Sequence, residues 1–328
     1  MKIAIIKTTH QKYGGSIYEN ELAEILSKEF DVEFINVGVK IKSKLKYLEA
    51  PFVLRRLFEI SKRKDFDLVI RNFEASLILN KSPTKNIVLV HHIDSSYSPI
   101  ILRIFYPFFE KIIFHNLKKF DAIITVSKFW KDYFEGKGYR NIYLIYNAFD
   151  LDEFHFSSKE IKEFREKHGL TEKPIIYIGN CQKGKGVVET YQALKNLNVY
   201  LITSGEAFVR TPAINLNLEY RDHSKLLKAS TIVVTMSKFK EGWCRTTHEA
   251  MLCKTPVIGS GLGGMSELLK GGNQIICKDF RFLKEKVAYL LIHPEIRKKM
   301  GEDGYNFAKN FTTEKFKEEW VKLIKNLF

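Results

Sequence analysis

Short apolar runs alternate along the whole chain with stretches in which hydrophobic residues recur every three or four positions. Runs of this length predict buried β-strands, and the stretches between them predict amphipathic helices. The predicted strands cover residues 2–8, 31–37, 67–70, 87–90, the start of 120–130, the start of 142–154, 175–179, 199–203, 231–236, 256–260 and 272–278. The predicted helices cover 17–30, 40–64, 97–116, 160–168, 187–197, 282–293, 294–310 and 316–328.

This alternation predicts an α/β protein. Strands that alternate with helices form parallel sheets with helices on both faces, the doubly wound arrangement of Rossmann-like domains. A chain of 328 residues is long enough for two such domains. The pattern contains two runs of alternating strand and helix with a connecting segment between them, and the second run starts near Pro174.

The most informative stretch is 226–269, where a short helix joins two predicted strands and a glycine-rich turn follows the second. Ligands of open α/β sheets bind beyond the carboxyl ends of strands, so the loops after both strands should line one crevice. Glu241 lies in the first loop, and Glu249 follows after seven intervening residues, in the first turn of a helix predicted to begin near Thr246 or Thr247. Two carboxylates that accept from sugar hydroxyls, beside a helix N-terminus that faces phosphate, suit a sugar nucleotide.

Each of these carboxylates also has a simpler interpretation. Thr246 and Glu249 have the Ser/Thr-x-x-Glu spacing of a capping box, which needs no ligand. For Glu241 taken alone, the preferred interpretation is a solvated carboxylate on a loop.

Two further turns have a composition that suits phosphate. Residues 180–186, NCQKGKG, connect a strand to a helix and carry Lys183 and Lys185, although a solvated lysine is the alternative for Lys183. Gly14 and Gly15 lie between the first strand and the first helix, where glycine lets the backbone approach a ligand. A Gly-Gly pair alone is also typical of an ordinary turn.

His91 and His92 follow the strand 87–90 directly. A histidine at the carboxyl end of a strand is well placed for a ligand-binding crevice, although such a histidine is also often structural. Adjacent side chains point in different directions, so we expect one of the two to face the crevice and prefer His92.

The composition indicates the cellular compartment more clearly than it indicates the function. The chain is 45% hydrophobic and 28% charged, as in ordinary globular proteins. We expect a cytoplasmic protein, because the N-terminus runs straight into a strand pattern and no apolar run reaches the length of a membrane span. The four cysteines lack a Cys-x-x-Cys pattern, so we expect reduced thiols and no metal site.

The net charge of +15 favours an anionic partner, whether phosphate-bearing substrate, anionic membrane or nucleic acid. The basic segment 40–64 predicts an amphipathic surface helix or, alternatively, a patch that contacts anionic lipid. The aromatic segment 97–116 predicts a core helix broken at Pro107 or, alternatively, an apolar surface for a lipid-linked acceptor.

The stretch around Glu241 and Glu249 resembles the family 4 glycosyltransferases, a retaining family with the GT-B fold. The matching segments are Glu241-Gly242-Trp243-Cys244, Glu249-Ala250-Met251, Thr255-Pro256-Val257 and Gly263-Gly264-Met265-Ser266-Glu267. Cys244 and Lys254 depart from the family, which has glycine at both positions. The resemblance covers nearly the whole chain.

This resemblance implies two Rossmann-like domains that face each other across a cleft. It places the first, acceptor-side domain at residues 1–150, a linker at 151–173 and the second, nucleotide-sugar-binding domain at 174–311. The last helix, within 312–328, is then expected to pack back on the first domain.

The resemblance also implies roles for the candidate residues. Glu249 would hold the ribose hydroxyls and Glu241 the donor sugar, while the backbone of Gly263, Gly264 and Met265 would support the sugar and phosphate. Lys185, with Lys183 or Arg245, would neutralise the pyrophosphate. Asn180 stands where the family has an arginine that contacts the same pyrophosphate. His91 or His92 and the Gly14-Gly15 loop would approach the donor from the first domain.

The implied activity is transfer of a sugar from a nucleotide diphosphate sugar, by default a UDP-sugar, to the hydroxyl of a glycan or lipid-linked acceptor with retention of configuration. The family mostly works without a metal, so we expect no cofactor. Peripheral contact with an anionic membrane is compatible with the basic first domain. The alternatives are an inactive nucleotide-sugar-binding or scaffold protein, suggested by Asn180, a UDP-sugar epimerase of the same fold, and a nucleic-acid-binding protein, suggested by the charge.

Overall fold

The chain folds into two compact units. The computed structural model describes residues 1–8, 14–38, 49–81, 83–93 and 100–328. The first unit comprises Met1–Ala148 with Thr313–Phe328, and the second comprises Phe149–Thr312. Residues 151–173, expected as a linker, therefore group with the second unit.

The described part of the first unit contains a parallel sheet of six strands. They are β1 (Lys2–Lys7), β2 (Asp31–Asn36), β3 (Leu68–Asn72), β4 (Lys85–Val90), β5 (Ala122–Thr125) and β6 (Ile142–Leu144). Their order is β2-β1-β3-β4-β5-β6. Every residue of β3 and β5 is buried, as expected for strands with helical layers on both faces.

The described residues before Ala148 form four α-helices: α1 (Gly14–Leu26), α2 (Glu49–Ser61), α3 (Ile100–Leu117) and α4 (Lys128–Gly136). The predicted segment 40–64 overlaps α2, and its first nine residues, 40–48, lie outside the described residues. Leu57 and Ile60 of α2 and Ile113 and Leu117 of α3 are buried among the apolar side chains of the strands.

The predicted break at Pro107 was wrong. The structure has one continuous helix, α3, with Pro107 in its interior. A proline removes a single backbone hydrogen bond and allows the helix to continue with a bend, provided that packing holds the two ends. Here Ile113 and Leu117 anchor the C-terminal half, while Phe108 next to the proline is 64% exposed.

The second unit repeats the parallel arrangement. Its strands are β7 (Ile175–Asn180), β8 (Tyr200–Ser204), β9 (Ile214–Leu216), β10 (Ile232–Thr235), β11 (Val257–Gly259) and β12 (Ile275–Ile276). They pair in the order β12-β11-β10-β7-β8-β9. The short strand β9 was not predicted, because its three residues are too few for a periodic pattern and are largely exposed.

The helices of this unit cover both faces of the sheet. They are α5 (Ser158–Lys167), α6 (Val187–Leu194), α7 (Tyr220–Ala229), α8 (Arg245–Leu252), α9 (Met265–Gly271), α10 (Leu283–Ile292) and α11 (Pro294–Ala308). Together with the first unit they confirm the predicted α/β class with two doubly wound parallel sheets. No helix in the described part of the chain is both long and apolar enough to span a bilayer.

The last helix, α12 (Thr313–Leu327), returns to the first unit. Its buried face packs on α1, where the Trp320 Nε1–H donates to the Tyr18 hydroxyl over 3.0 Å. The Tyr18 hydroxyl in turn donates to the Ile145 carbonyl over 3.3 Å. A fully buried hydroxyl thus connects α1, α12 and the segment after β6.

We expect Tyr18→Phe to destabilise the protein by about 1–3 kcal/mol, because it leaves the buried Trp320 N–H and Ile145 carbonyl without their partner. Urea unfolding followed by circular dichroism measures the change. Tyr143→Phe is the matched control, since Tyr143 is 40% exposed. Equal unfolding midpoints for the two variants would contradict this role of the Tyr18 hydroxyl.

Candidate functional site

The two loops at the carboxyl ends of β10 and β11 lie side by side. Glu241 and Gly263 form a parallel bridge between them. The Glu241 N–H donates to the Leu262 carbonyl over 3.2 Å, and the Gly264 N–H donates to the Glu241 carbonyl over 2.9 Å. The two loops therefore lie together, as the sequence predicted for the loops after these two strands. The glycine-rich turn fixes the Glu241 backbone.

Gly263 makes this close approach possible. Its φ is +66°, and a Cβ added there would lie 2.8 Å from the Glu241 N and closer still to the Glu241 carbonyl oxygen. A side chain at this position would therefore push the Glu241 loop away from the turn.

We expect Gly263→Ala to lower the melting temperature, because the methyl group displaces Glu241 in addition to the strain of a positive φ, about 1–3 kcal/mol. Differential scanning fluorimetry measures the change. In the matched control Gly136→Ala, the added Cβ meets nothing within 4 Å. A Gly263→Ala protein that melts at the temperature of Gly136→Ala would show that the contact is unimportant.

Glu241 forms a buried ion pair with Lys185. The Lys185 Nζ lies 2.6 Å from the Glu241 Oε1, whose side chain is 7% exposed, and the Ser237 hydroxyl donates to the same oxygen. Burial, the largest single effect, would lower the pKa of Lys185, but the charge and hydrogen bond of Glu241 and the nearby Cys244 together raise it. The sequence left Glu241 open as a solvated residue, and the structure places it instead against a cation.

The loop of Lys185 is held by backbone contacts to the Glu241 loop. Lys183–Lys185 form a 3₁₀ turn that ends at Gly186 with φ +69°. The Lys238 N–H donates to the Gly184 carbonyl over 2.8 Å, and a Cβ on Gly186 would collide with the Met236 carbonyl. Lys183 on this turn is exposed, so the turn presents one cation to solvent and one to Glu241.

The alternative interpretation of Thr246 and Glu249 as a capping box was wrong. Helix α8 begins at Arg245, and the residue that precedes it is Cys244, which has φ +67° and makes no side-chain capping bond. Cys244 turns the chain one residue earlier than predicted, so Thr246 lies inside the helix. Glu249 is the fifth residue of α8, beyond the first turn where the sequence placed it.

Glu249 is buried beside Arg245 and Tyr220. The Arg245 Nε lies 3.5 Å from the Glu249 Oε1, with both side chains less than one-tenth exposed, and the Tyr220 hydroxyl donates to the same oxygen over 3.4 Å. The Arg245 guanidinium also stacks over the Phe149 ring, 4.4 Å from its centroid. The second carboxylate therefore also has a cation partner, which reaches it from the same helix.

His248 anchors α8 from its opposite side. Its Nε2–H donates to the Ala308 carbonyl over 3.1 Å, and its Nδ1 accepts from the Trp243 indole over 3.1 Å. The ring stacks on Phe149 at 4.0 Å. Burial lowers the pKa of His248 to about 3, against the smaller opposing effect of the Ala308 carbonyl. A neutral histidine thus fixes the helix that carries Glu249.

Asn180 ends β7 and belongs to a buried polar network. Its Oδ1 accepts from the Tyr177 hydroxyl over 2.7 Å and from the Ser204 hydroxyl over 3.1 Å. The His223 Nε2 lies 3.4 Å from the Tyr177 hydroxyl. The sequence did not predict Tyr177, Ser204 or His223 as part of the site, because a tyrosine within an apolar strand has the pattern of a core residue.

The remaining candidates lie in two places. Gly14 and Gly15 form the first turn of α1, and His91 and His92 follow β4, all in the first unit. The His91 ring packs edge-on against Tyr18 at 5.2 Å. In the second unit, Met265 begins α9 and its side chain is fully buried. The described residues contain no cluster of three or more His, Cys, Asp or Glu side chains suited to a metal ion.

Two family models match the chain in succession. Residues 16–153 match the model for glycosyltransferase family 4, and residues 158–307 match that for glycosyl transferases group 1. Among curated relatives, an N-acetyl-D-galactosaminyltransferase of Campylobacter jejuni, which acts on an undecaprenol-linked glycan, is 24% identical over 95% of this chain and 87% of its own length. The chain spans about half the length of other curated relatives that it matches, at 56% and 51%.

Solved structures show the same architecture. Sucrose-phosphate synthase from Thermosynechococcus elongatus superposes with a TM-score of 0.82 at 16% identity, over 100% of this chain and 99% of that one. HepE of Anabaena in complex with UDP-glucose gives a TM-score of 0.79 at 17% identity, over 99% of this chain and 100% of that one. These likenesses confirm the GT-B fold class.

Proposed function

The chain belongs to the family 4 glycosyltransferases, and on this premise we propose that it transfers a sugar from a nucleotide diphosphate sugar to an acceptor hydroxyl with retention of configuration. The observation that carries the proposal is the Lys185–Glu241 pair, 2.6 Å apart at the carboxyl ends of adjacent strands. This edge of the sheet thus holds a cation that suits phosphate beside a carboxylate that suits sugar hydroxyls.

Each side chain has a part in this reaction. Lys185 neutralises the diphosphate as it departs, and Lys183 on the same exposed turn assists it. Glu241 accepts hydrogen bonds from the donor sugar, and Glu249 accepts from the ribose. Arg245 lies against Glu249 and Phe149, so we assign it to holding Glu249 rather than to the phosphate. The backbone of the turn Gly263-Gly264-Met265 supports the donor sugar, and the roles expected for His91 or His92 and for Gly14 and Gly15 stay predictions.

The bond changes need no protein nucleophile. The bond between the anomeric carbon and the diphosphate oxygen breaks, and a bond from the same face to the acceptor oxygen forms. The acceptor proton passes to the departing phosphate oxygen. The protein contributes charge and orientation, which are the main sources of rate in a reaction that releases an anion.

We propose UDP as the nucleotide and a lipid-linked glycan as the acceptor. UDP-glucose is bound by the structural neighbour HepE, and the Campylobacter jejuni relative acts on an undecaprenol-linked glycan. On α2, Phe52 and Phe58 are 60% and 51% exposed, and the Lys62 ammonium lies 4.2 Å from the Phe58 ring centroid. Exposed aromatic rings beside cations suit peripheral contact with an anionic membrane.

A thermal-shift screen with UDP-, GDP-, ADP- and dTDP-sugars tests the donor, because a bound ligand raises the melting temperature by mass action. We expect a shift with a UDP-sugar and release of UDP when a lipid-linked glycan is added. Binding without turnover on any acceptor would indicate an inactive binding protein. A changed sugar in the absence of acceptor would indicate an epimerase. Retention on DNA with no nucleotide binding would overturn the proposal.

Flotation with phosphatidylglycerol vesicles and with phosphatidylcholine vesicles tests the membrane contact. We expect the protein to float with the anionic vesicles at low salt, and the double variant Phe52→Ser, Phe58→Ser to float less. Equal flotation of the two proteins would remove α2 from the membrane contact.

A further inference from the structure

The amide of Asn180 is held in one orientation by two hydroxyl groups. The Tyr177 and Ser204 hydroxyls both lie within 3.1 Å of its Oδ1, and they lie 2.8 Å from each other. Burial raises the pKa of Tyr177, so its hydroxyl stays protonated and remains a donor. Two donors that converge on one amide oxygen direct the amide nitrogen to the other side.

That nitrogen has no acceptor among the residues that the structure describes, whereas the oxygen has two donors. Asn180 is itself only partly buried and stands at the carboxyl end of β7, with two residues between it and the turn of Lys183–Lys185. The oriented N–H donor thus belongs to the same strand-end loop as the cations of the proposed phosphate site.

We infer that Asn180 donates a hydrogen bond to the diphosphate of the nucleotide sugar, and that Tyr177 and Ser204 are positioning residues that aim its amide. This inference rests on the proposed function and specifies how this site meets the phosphate without an arginine. The network supplies a neutral donor whose orientation is set before the ligand arrives. Such preorganisation reduces the ordering that binding requires.

His223 extends the network away from the ligand. Its Nε2 contacts the Tyr177 hydroxyl, and burial lowers its pKa, so the ring is neutral at neutral pH. In the Nε2–H tautomer it donates to Tyr177 and leaves the tyrosine proton for Asn180. The chain of donors then runs from His223 through Tyr177 to the amide oxygen.

The test compares binding of UDP and of uridine by isothermal titration calorimetry in four single variants and one double variant. We expect Asn180→Ala to weaken UDP binding by about tenfold or more, the effect of a hydrogen bond to a charged group, with uridine binding unchanged. Asn180→Asp should weaken UDP binding further, because a carboxylate oxygen replaces the donor. Asn198→Asp is the control, since Asn198 is an exposed asparagine of the same unit.

Tyr177→Phe distinguishes positioning from a general structural role. We expect it to weaken UDP binding severalfold in the native background and to have no further effect in an Asn180→Ala background. Additive losses, or equal losses for UDP and uridine, would overturn the inference while leaving the glycosyltransferase proposal intact. If native protein binds neither UDP nor GDP, the proposed function fails, and this inference fails with it.

Discussion

Replacing Lys185 by alanine should lower turnover of the nucleotide sugar by about 10²–10³-fold, the usual effect of removing one preorganised donor from a developing negative charge. The change also removes the Lys185 cation from the buried Glu241 carboxylate, which keeps the Ser237 hydroxyl as a hydrogen-bond donor. We therefore expect a loss in kcat larger than any increase in KM. Steady-state release of nucleotide, measured with a saturating acceptor, gives both constants.

Two further variants separate charge from structure. Lys185→Arg keeps the cation and should recover part of the activity, whereas Glu241→Gln should lower kcat while keeping a partner for Ser237. Lys195→Ala is the control, because Lys195 is an exposed lysine just after α6. Turnover of Lys185→Ala within threefold of the native enzyme would mean that the pair with Glu241 is only structural.

Glu19→Gln should stabilise the protein at neutral and alkaline pH. Glu19 of α1 is 2% exposed, and neither of its carboxylate oxygens has a hydrogen-bond partner among the residues that the structure describes. Burial raises its pKa to about 8, which Lys7 partly opposes and Glu74 reinforces. An unpartnered buried carboxyl is costly as an anion and much less costly as an acid.

The sign of the pH dependence follows from the raised pKa. Between pH 4.5 and about 8 the folded protein keeps a proton on Glu19 that the unfolded chain has released. Stability from this group is therefore fully present below pH 4.5 and declines as pH rises, by about 1.4 kcal/mol per pH unit. Across the window the loss amounts to several kcal/mol, and Glu19→Gln should abolish it.

Urea unfolding at pH 5, 6, 7 and 8 measures this difference. The free energies of unfolding of native protein and Glu19→Gln should diverge steadily with rising pH. Glu24→Gln on the same helix is the matched control and should follow the native curve, because the Glu24 side chain is 77% exposed. Parallel curves for native protein and Glu19→Gln would show that Glu19 is ionised in the folded state.

The sheets were predictable from the sequence because each buried strand is a short apolar run. The placement of Glu241 and Gly263 followed from the rule that adjacent parallel strands end at one edge. The start of α8 was not predictable, because Thr246 and Glu249 fit a capping box while the turn actually depends on the positive φ of Cys244. Spacing alone does not reveal backbone conformation.

The polar network was not predictable for a different reason. Tyr177 and Ser204 lie on neighbouring strands and 27 positions apart, and only the register of the sheet brings them to Asn180. At Pro107 the local rule gave the wrong prediction. It predicted a break in the helix, whereas the packing of Ile113 and Leu117 keeps the helix continuous. Local chemistry identifies candidate atoms, whereas tertiary pairing decides which atoms meet.

The return of α12 to the first unit has a consequence for how the protein emerges from the ribosome. The second unit is a continuous segment, Phe149–Thr312, and is fully synthesised before α12 appears. The first unit begins synthesis earlier yet lacks the Trp320 partner of Tyr18 until α12 has been made. In nascent chains, the second unit should therefore become protease-resistant before the first unit does, although the first unit begins synthesis earlier.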